Sequence, residues 1–116
     1  MIAENFKTHA VVKAHLANGG TLLEVVKHYL NNIEANNSTF NIFLEVFADE
    51  ALAEAERIQE KIANGTAGKL AGMVVALKDN ICYKQHKVSA SSRILENFES
   101  LFSATAVERM LAEDVI

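Results

Sequence analysis

At 116 residues, half of them hydrophobic, the chain has the length of one ordinary domain and enough apolar side chains to bury a core. A net charge of -4 excludes a general electrostatic attraction to nucleic acid, so such a partner would need a local basic patch or another subunit. A lone cysteine, Cys82, excludes an intrachain disulfide; the apolar runs are too short to span a bilayer, and the N-terminus lacks the basic-then-apolar order of a signal peptide, so a cytoplasmic address is expected.

In chain order, "ENFKTHAVVKAHLANGG" (4–20) predicts a helix through Leu16, stopped at Asn18-Gly19-Gly20, where glycine accepts a left-handed cap. "TLLEVVKHYLNNIEANN" (21–37) predicts a second helix. Thr21 and Glu24 have capping-box spacing, and Leu22, Val25, Val26, Tyr29, Leu30 and Ile33 recur on one face. The two helices are expected to form a hairpin. "TFNIFLEVF" (39–47) alternates Phe40, Ile42, Leu44 and Val46 as a half-buried strand would. "ADEALAEAERIQEKIANG" (48–65) predicts a helix with Leu52, Ala55, Ile58 and Ile62 inward, and with Glu54, Glu56, Arg57, Glu60 and Lys61 as a solvated face. After a loop at "TAGKL", residues 73–77 read as a second strand. "SATAVERMLAEDVI" reads as a helix over about 104–113, with Thr105 and Glu108 as a capping box and Val107, Met110 and Leu111 as its apolar face, leading into a third strand at Val115-Ile116. Strands alternating with helices predict an α/β fold: a helical preamble over 1–37, then the start of a mixed β-sheet flanked by helices over 38–116. The apolar end at Val115-Ile116 suggests an N-terminal fragment of one larger domain, and proline is absent where average usage gives about six.

The stretch "GMVVALKDN" (72–80) carries the chemistry. An apolar run leads straight into Lys78, and ligands of open α/β sheets gather at the carboxyl ends of strands. A lysine there either caps a strand at the surface, with Asp79 and Asn80 as turn formers, or works as a base or nucleophile once burial or neighbouring donors favour its neutral form. The residues alone leave both readings open.

Three blocks in fixed order, "GMVVALKDN", "SSRILENF" and "ATAVERML", resemble the amidase signature family, within it most closely the A subunits of glutamyl-tRNA(Gln) or aspartyl-tRNA(Asn) amidotransferases. The helix-strand-helix stretch upstream is similar too. The resemblance implies that Lys78 is catalytic: its neutral amine takes a proton relayed from a nucleophilic serine through a cis-serine, so that the hydroxyl attacks an amide carbonyl. Both serines would lie downstream of residue 116. It further implies glutamine as the ammonia donor, B and C subunits as partners, misacylated tRNA met through the B subunit, and ATP and Mg on that B subunit, with no cofactor in this chain. The family pattern carries a proline where this chain has Val74, a glycine near Gln85 or His86, and a glycine at Asp114. Two alternatives are a related amidase acting on a small amide and a non-catalytic interaction module.

Other reactive side chains fit blander roles. Cys82 and His86 stand four apart on a turn without an orienting third group, which suits packing. His9, His15 and His28 lack the i, i+4 partner that a helical metal site needs. Ser91 and Ser92 have no nucleophile-elbow motif, and the resemblance makes them part of a supporting loop.

Overall fold

The computed structural model describes residues 5–116, so Glu4, at the head of the first expected helix, lies outside the described residues. Among these, four α-helices form: α1 His9–Ala17, α2 Leu22–Phe40, α3 Ala48–Ala63 and α4 Thr105–Ala112, with a 3-10 turn at Arg93–Leu95.

The helices begin and end where short-range hydrogen bonding dictates. Thr8 caps α1 by accepting the Val11 N–H at 3.3 Å, and Asn18 and Gly19, the latter at φ +89°, close it. The expected capping box opens α2: Thr21 accepts the Glu24 N–H at 3.3 Å while the Glu24 carboxylate accepts the Thr21 N–H at 2.8 Å. The α2 face of Leu22, Val25 and Val26 is fully buried and packs with Ala55 and Ile58 of α3. Burial of each Leu, Val or Ile side chain contributes about 1.5–3 kcal/mol relative to exposure. Leu22 N–H also donates to the Gln59 side chain of α3 at 2.8 Å, fixing the register of the pair. The dominant helix pair is thus α2 with α3, while α1 adds Val12 and Leu16 to the core from the other side of the turn.

Several expectations are corrected. Residues 39–47 form no strand: α2 runs on to Phe40, and Asn41 closes it in the left-handed region. Asn37 then takes over the backbone, its side chain accepting the N–H groups of Ile42 and Phe43 at 3.0 and 2.8 Å and donating to the Phe43 carbonyl at 2.9 Å. The Ile42 and Phe43 groups that a strand would offer to a neighbour are satisfied locally, and Phe40, Ile42, Leu44 and Val46 stay exposed. Nor do the described residues contain a sheet. The 73–77 segment is extended but pairs only with Ile116, through Val75 N–H to the Ile116 carbonyl at 2.8 Å and Ile116 N–H to the Met73 carbonyl at 2.9 Å. This is a single step of parallel pairing, set at Val74 opposite Ile116. One antiparallel bridge joins Lys87 and Glu99. Helix α4 has no capping box either: Ala104 is its N-cap and Thr105 lies inside the first turn.

Two glycines bring the extended segment to its place. Gly72, at φ +88°, would set a Cβ 3.1 Å from Leu22 and 3.2 Å from Val12, so the chain crosses the α1–α2 junction there with no room to spare. Gly68 would set a Cβ 2.5 Å from the backbone of Glu113, where the 68–70 loop docks and Leu70 N–H reaches the Glu113 carbonyl at 3.0 Å.

Candidate active site

Lys78 stands at the end of the extended 73–77 segment, with an exposed side chain, and opens a turn in which its carbonyl accepts the Ile81 N–H at 2.9 Å. Its neighbour Asp79 is half-buried and engaged by the chain that follows. The Asp79 carboxylate accepts the Ser89 N–H at 3.0 Å through one oxygen and the Ser89 hydroxyl through the other, while the Asp79 carbonyl accepts the Ala90 N–H at 2.9 Å. The loop that follows is wound tightly enough to hold Ala90 and Ser91 at φ +47° and +60°, a region costly for residues with a Cβ. The Ser89 hydroxyl and amide hold the Asp79 carboxyl below its usual range. Beyond this anchor, Ser89, Ser91, Ser92, Arg93 and Glu96 line an open cleft of about 250 Å³. Ser91 and Ser92 lie in the loop whose first residues are tied to Asp79, next to Lys78.

Cys82 and His86 do not face each other as a dyad. The His86 ring has one nitrogen 2.8 Å from the Lys84 carbonyl and the other 2.8 Å from the Glu50 carboxylate of α3. Both ring nitrogens are thus engaged away from Cys82, one within its own turn and one on α3. The ring stacks on Tyr83 at 3.9 Å with planes 5° apart and meets Phe47 edge-on. Cys82, half-buried, contributes its carbonyl to the Ala104 N–H at 2.9 Å, where α4 begins. The other histidines have local partners: His9 with the Ala71 carbonyl, His15 with Glu24, His28 with Asn32. Among the described residues no three His, Cys, Asp or Glu side chains gather as metal ligands do.

The face expected to be merely solvated contains an ion-pair cluster instead. Asp114, only 2% exposed, accepts from Lys61 at 2.6 Å, from Arg57 at 3.3 Å and from the Gly68 N–H at 2.8 Å. The Lys61 hydrogen bond, with the Gly68 amide and Arg57 behind it, holds the Asp114 carboxyl below its usual range. Arg57 and Lys61 therefore tie α3 to the segment that carries Ile116. No periodicity signals such a link, because its members lie more than fifty residues apart; the signal that was present is a non-glycine at a position where the family pattern has glycine. Asp114 sits at φ +63° and Gln85 at φ +64°, so both glycine-pattern positions adopt the left-handed backbone that glycine tolerates. At the proline position, the bonds to Ile116 use Met73 and Val75 and bypass Val74, so a proline there would break neither.

With this geometry in place, comparison with known proteins assigns the class: the Amidase family model matches residues 24–116, and the chain belongs to that family. Its curated relatives include the A subunit of glutamyl-tRNA(Gln) amidotransferase from Chlorobium chlorochromatii, 47% identical over 94 residues, covering 80% of this chain and 20% of the relative. Its counterpart from Chlorobium phaeobacteroides is 40% identical over 114 residues, covering 97% of this chain and 24% of the relative, and that from Methanothermobacter thermautotrophicus is 42% identical over 107 residues, covering 91% and 23%. The chain thus spans about a fifth to a quarter of the length of these relatives. A solved inhibitor-bound structure, described as a vestigial protein complex that reveals the evolutionary origins of an s-triazine catabolic enzyme, matches 96% of this chain and 25% of its own with a TM-score of 0.86 at 24% identity, a likeness of fold. No described helix is long and apolar enough to cross a membrane.

Proposed function

We propose that this chain forms the N-terminal part of the A subunit of a glutamine-dependent tRNA amidotransferase, and that Lys78 is its catalytic base. The observation that supports this best is the identity of 40–47% to the amidotransferase relatives over most of the chain, with the lysine block inside the matched residues. In the reaction so assigned, the neutral Lys78 amine accepts a proton passed from the nucleophilic serine through the cis-serine. The serine oxygen bonds to the carboxamide carbon of glutamine, ammonia leaves with the relayed proton, and water releases glutamate from the acyl-enzyme. The two serines are assigned to the part of the domain outside residues 1–116, which also has to wall in the exposed Lys78 side chain. The ammonia is destined for misacylated tRNA activated with ATP and Mg on a B subunit, with a C subunit completing a cytoplasmic complex.

The test replaces Lys78 in the full-length protein and measures ammonia release from glutamine. Lys78→Ala is expected to lower kcat by roughly two to four orders of magnitude, the usual cost of losing a general base. Lys78→Arg should fare little better, because a guanidinium stays protonated and cannot accept the relayed proton. Full activity in the arginine variant would exclude lysine as the base. Residues 1–116 alone should release no ammonia above a blank.

A further inference from the structure

By residue type Asp79 is an ordinary turn former, yet it is the most heavily engaged side chain near Lys78. Its carboxylate takes both the amide and the hydroxyl of Ser89, and its carbonyl takes the amide of Ala90, so one residue makes three hydrogen bonds to the start of a loop ten positions on. That loop is not a relaxed one. Ala90 and Ser91 both hold positive φ, which residues bearing a Cβ adopt only where surrounding contacts enforce it. The bonds from Asp79 supply that enforcement. The backbone running into Asp79 is itself fixed on its other side, by the Met73 and Val75 bonds to Ile116 and by the Gly72 crossing of the helical core. Lys78 therefore lies between two anchors: a paired extended segment before it, and a carboxylate clamped to the serine-rich loop after it.

We propose that Asp79 is a positioning residue, whose carboxylate locks the Ser89–Ser92 loop to the Lys78 turn and thereby sets where the lysine amine is presented. The proposal rests on the reading of Lys78 as the base. Asp79 touches no reacting atom; it acts through the backbone it shares with Lys78. Misplacing a base by a fraction of a hydrogen-bond length reduces the rate of proton transfer while leaving substrate contacts elsewhere in place, so the loss should fall on kcat.

The experiment compares Asp79→Asn, Asp79→Glu, Ser89→Ala and Lys78→Ala in the full-length protein, by steady-state ammonia release from glutamine. Asparagine keeps one acceptor oxygen but replaces the other with an N–H2 facing the Ser89 hydroxyl. We expect a fall in kcat of about 10- to 100-fold with KM within about threefold, the scale that an ångström of misplacement produces. Adding Ser89→Ala to Asp79→Asn should cost little more, because both changes remove the same clamp, and Asp79→Glu should recover part of the loss. If Asp79→Asn does not fold, Ser89→Ala carries the test alone, with a smaller loss of kcat at constant KM expected. Wild-type kcat in Asp79→Asn, or in Ser89→Ala where that stands alone, beside an inactive Lys78→Ala would overturn the positioning role and leave Lys78 as base. Retained activity in Lys78→Ala would instead bring down the base assignment. A loss confined to KM would also overturn the proposal, since it would place Asp79 in substrate binding.

Discussion

Asp114 shows how one side chain can serve a backbone conformation that does not suit it. At φ +63° a non-glycine residue carries a strain of about 1–2 kcal/mol, offset here by hydrogen bonds to Lys61, Arg57 and the Gly68 amide. Asp114→Ala should keep the strain and lose the bonds, lowering stability by roughly 2–3 kcal/mol, whereas Asp114→Gly loses the bonds but relieves the strain and should lie about 1 kcal/mol above it; urea unfolding of the three proteins gives the order. The pH dependence has a definite sign. A folded-state carboxyl held below its unfolded value binds its proton later than the unfolded chain does, so its stabilisation is complete above the ordinary aspartate value of about 3.9 and is lost as pH falls through the lower folded value. Asp79 has the same sign. Wild-type protein should therefore lose stability below about pH 4 more steeply than Asp114→Gly. Equal slopes would show that the cluster does not couple to folding.

Among the elements, those with purely local causes were legible in the sequence. The α2 capping box, the α3 stripe of Leu52, Ala55, Ile58 and Ile62, and the Asn-Gly stops fall where spacing and cap chemistry put them, because a helix satisfies its own backbone within four residues. Extended segments have no such self-sufficiency. The alternation at 40–46 carried no information about whether a partner strand existed, and Asn37 supplied the answer by bonding that backbone itself. Threonine at 105 has N-cap chemistry, but Ala104 occupies the cap, its N–H bonded to the Cys82 carbonyl, and Thr105 falls inside the first turn. The lysine's place after an apolar run was legible; Asp79's clamp was not, since no local pattern links residues 79 and 89. The docking of loop 68–70 on residues 113–114 is equally non-local, and it rests on one missing methyl group. Gly68→Ala would drive a Cβ to 2.5 Å from the Glu113 backbone, a clash that no rotamer relieves. A loss of about 1–3 kcal/mol or more is expected in thermal unfolding, and a wild-type Tm in that variant would mean the loop docks otherwise.

As a whole the molecule is loosely drawn together. Its radius of gyration is 15.2 Å, where a compact domain of this length would have about 13 Å. Phe40, Ile42, Leu44, Ile94, Leu101 and Phe102, all large and apolar, are exposed. Residues 1–116 expressed alone should therefore self-associate with rising concentration, and Leu44→Lys with Leu101→Lys should reduce it; a monomer by sedimentation across the micromolar range would contradict this. The pairing of Val74 with Ile116 has a consequence in time as well as in space. At about 5–20 residues per second, Ile116 emerges from the ribosome roughly 2–8 seconds after Val74, the two being some forty residues apart. Through that interval the Val75 N–H and the Met73 carbonyl of the segment leading to Lys78 lack the partner they have in the fold, and it is in that window that a chaperone, or a wrong strand, would find them.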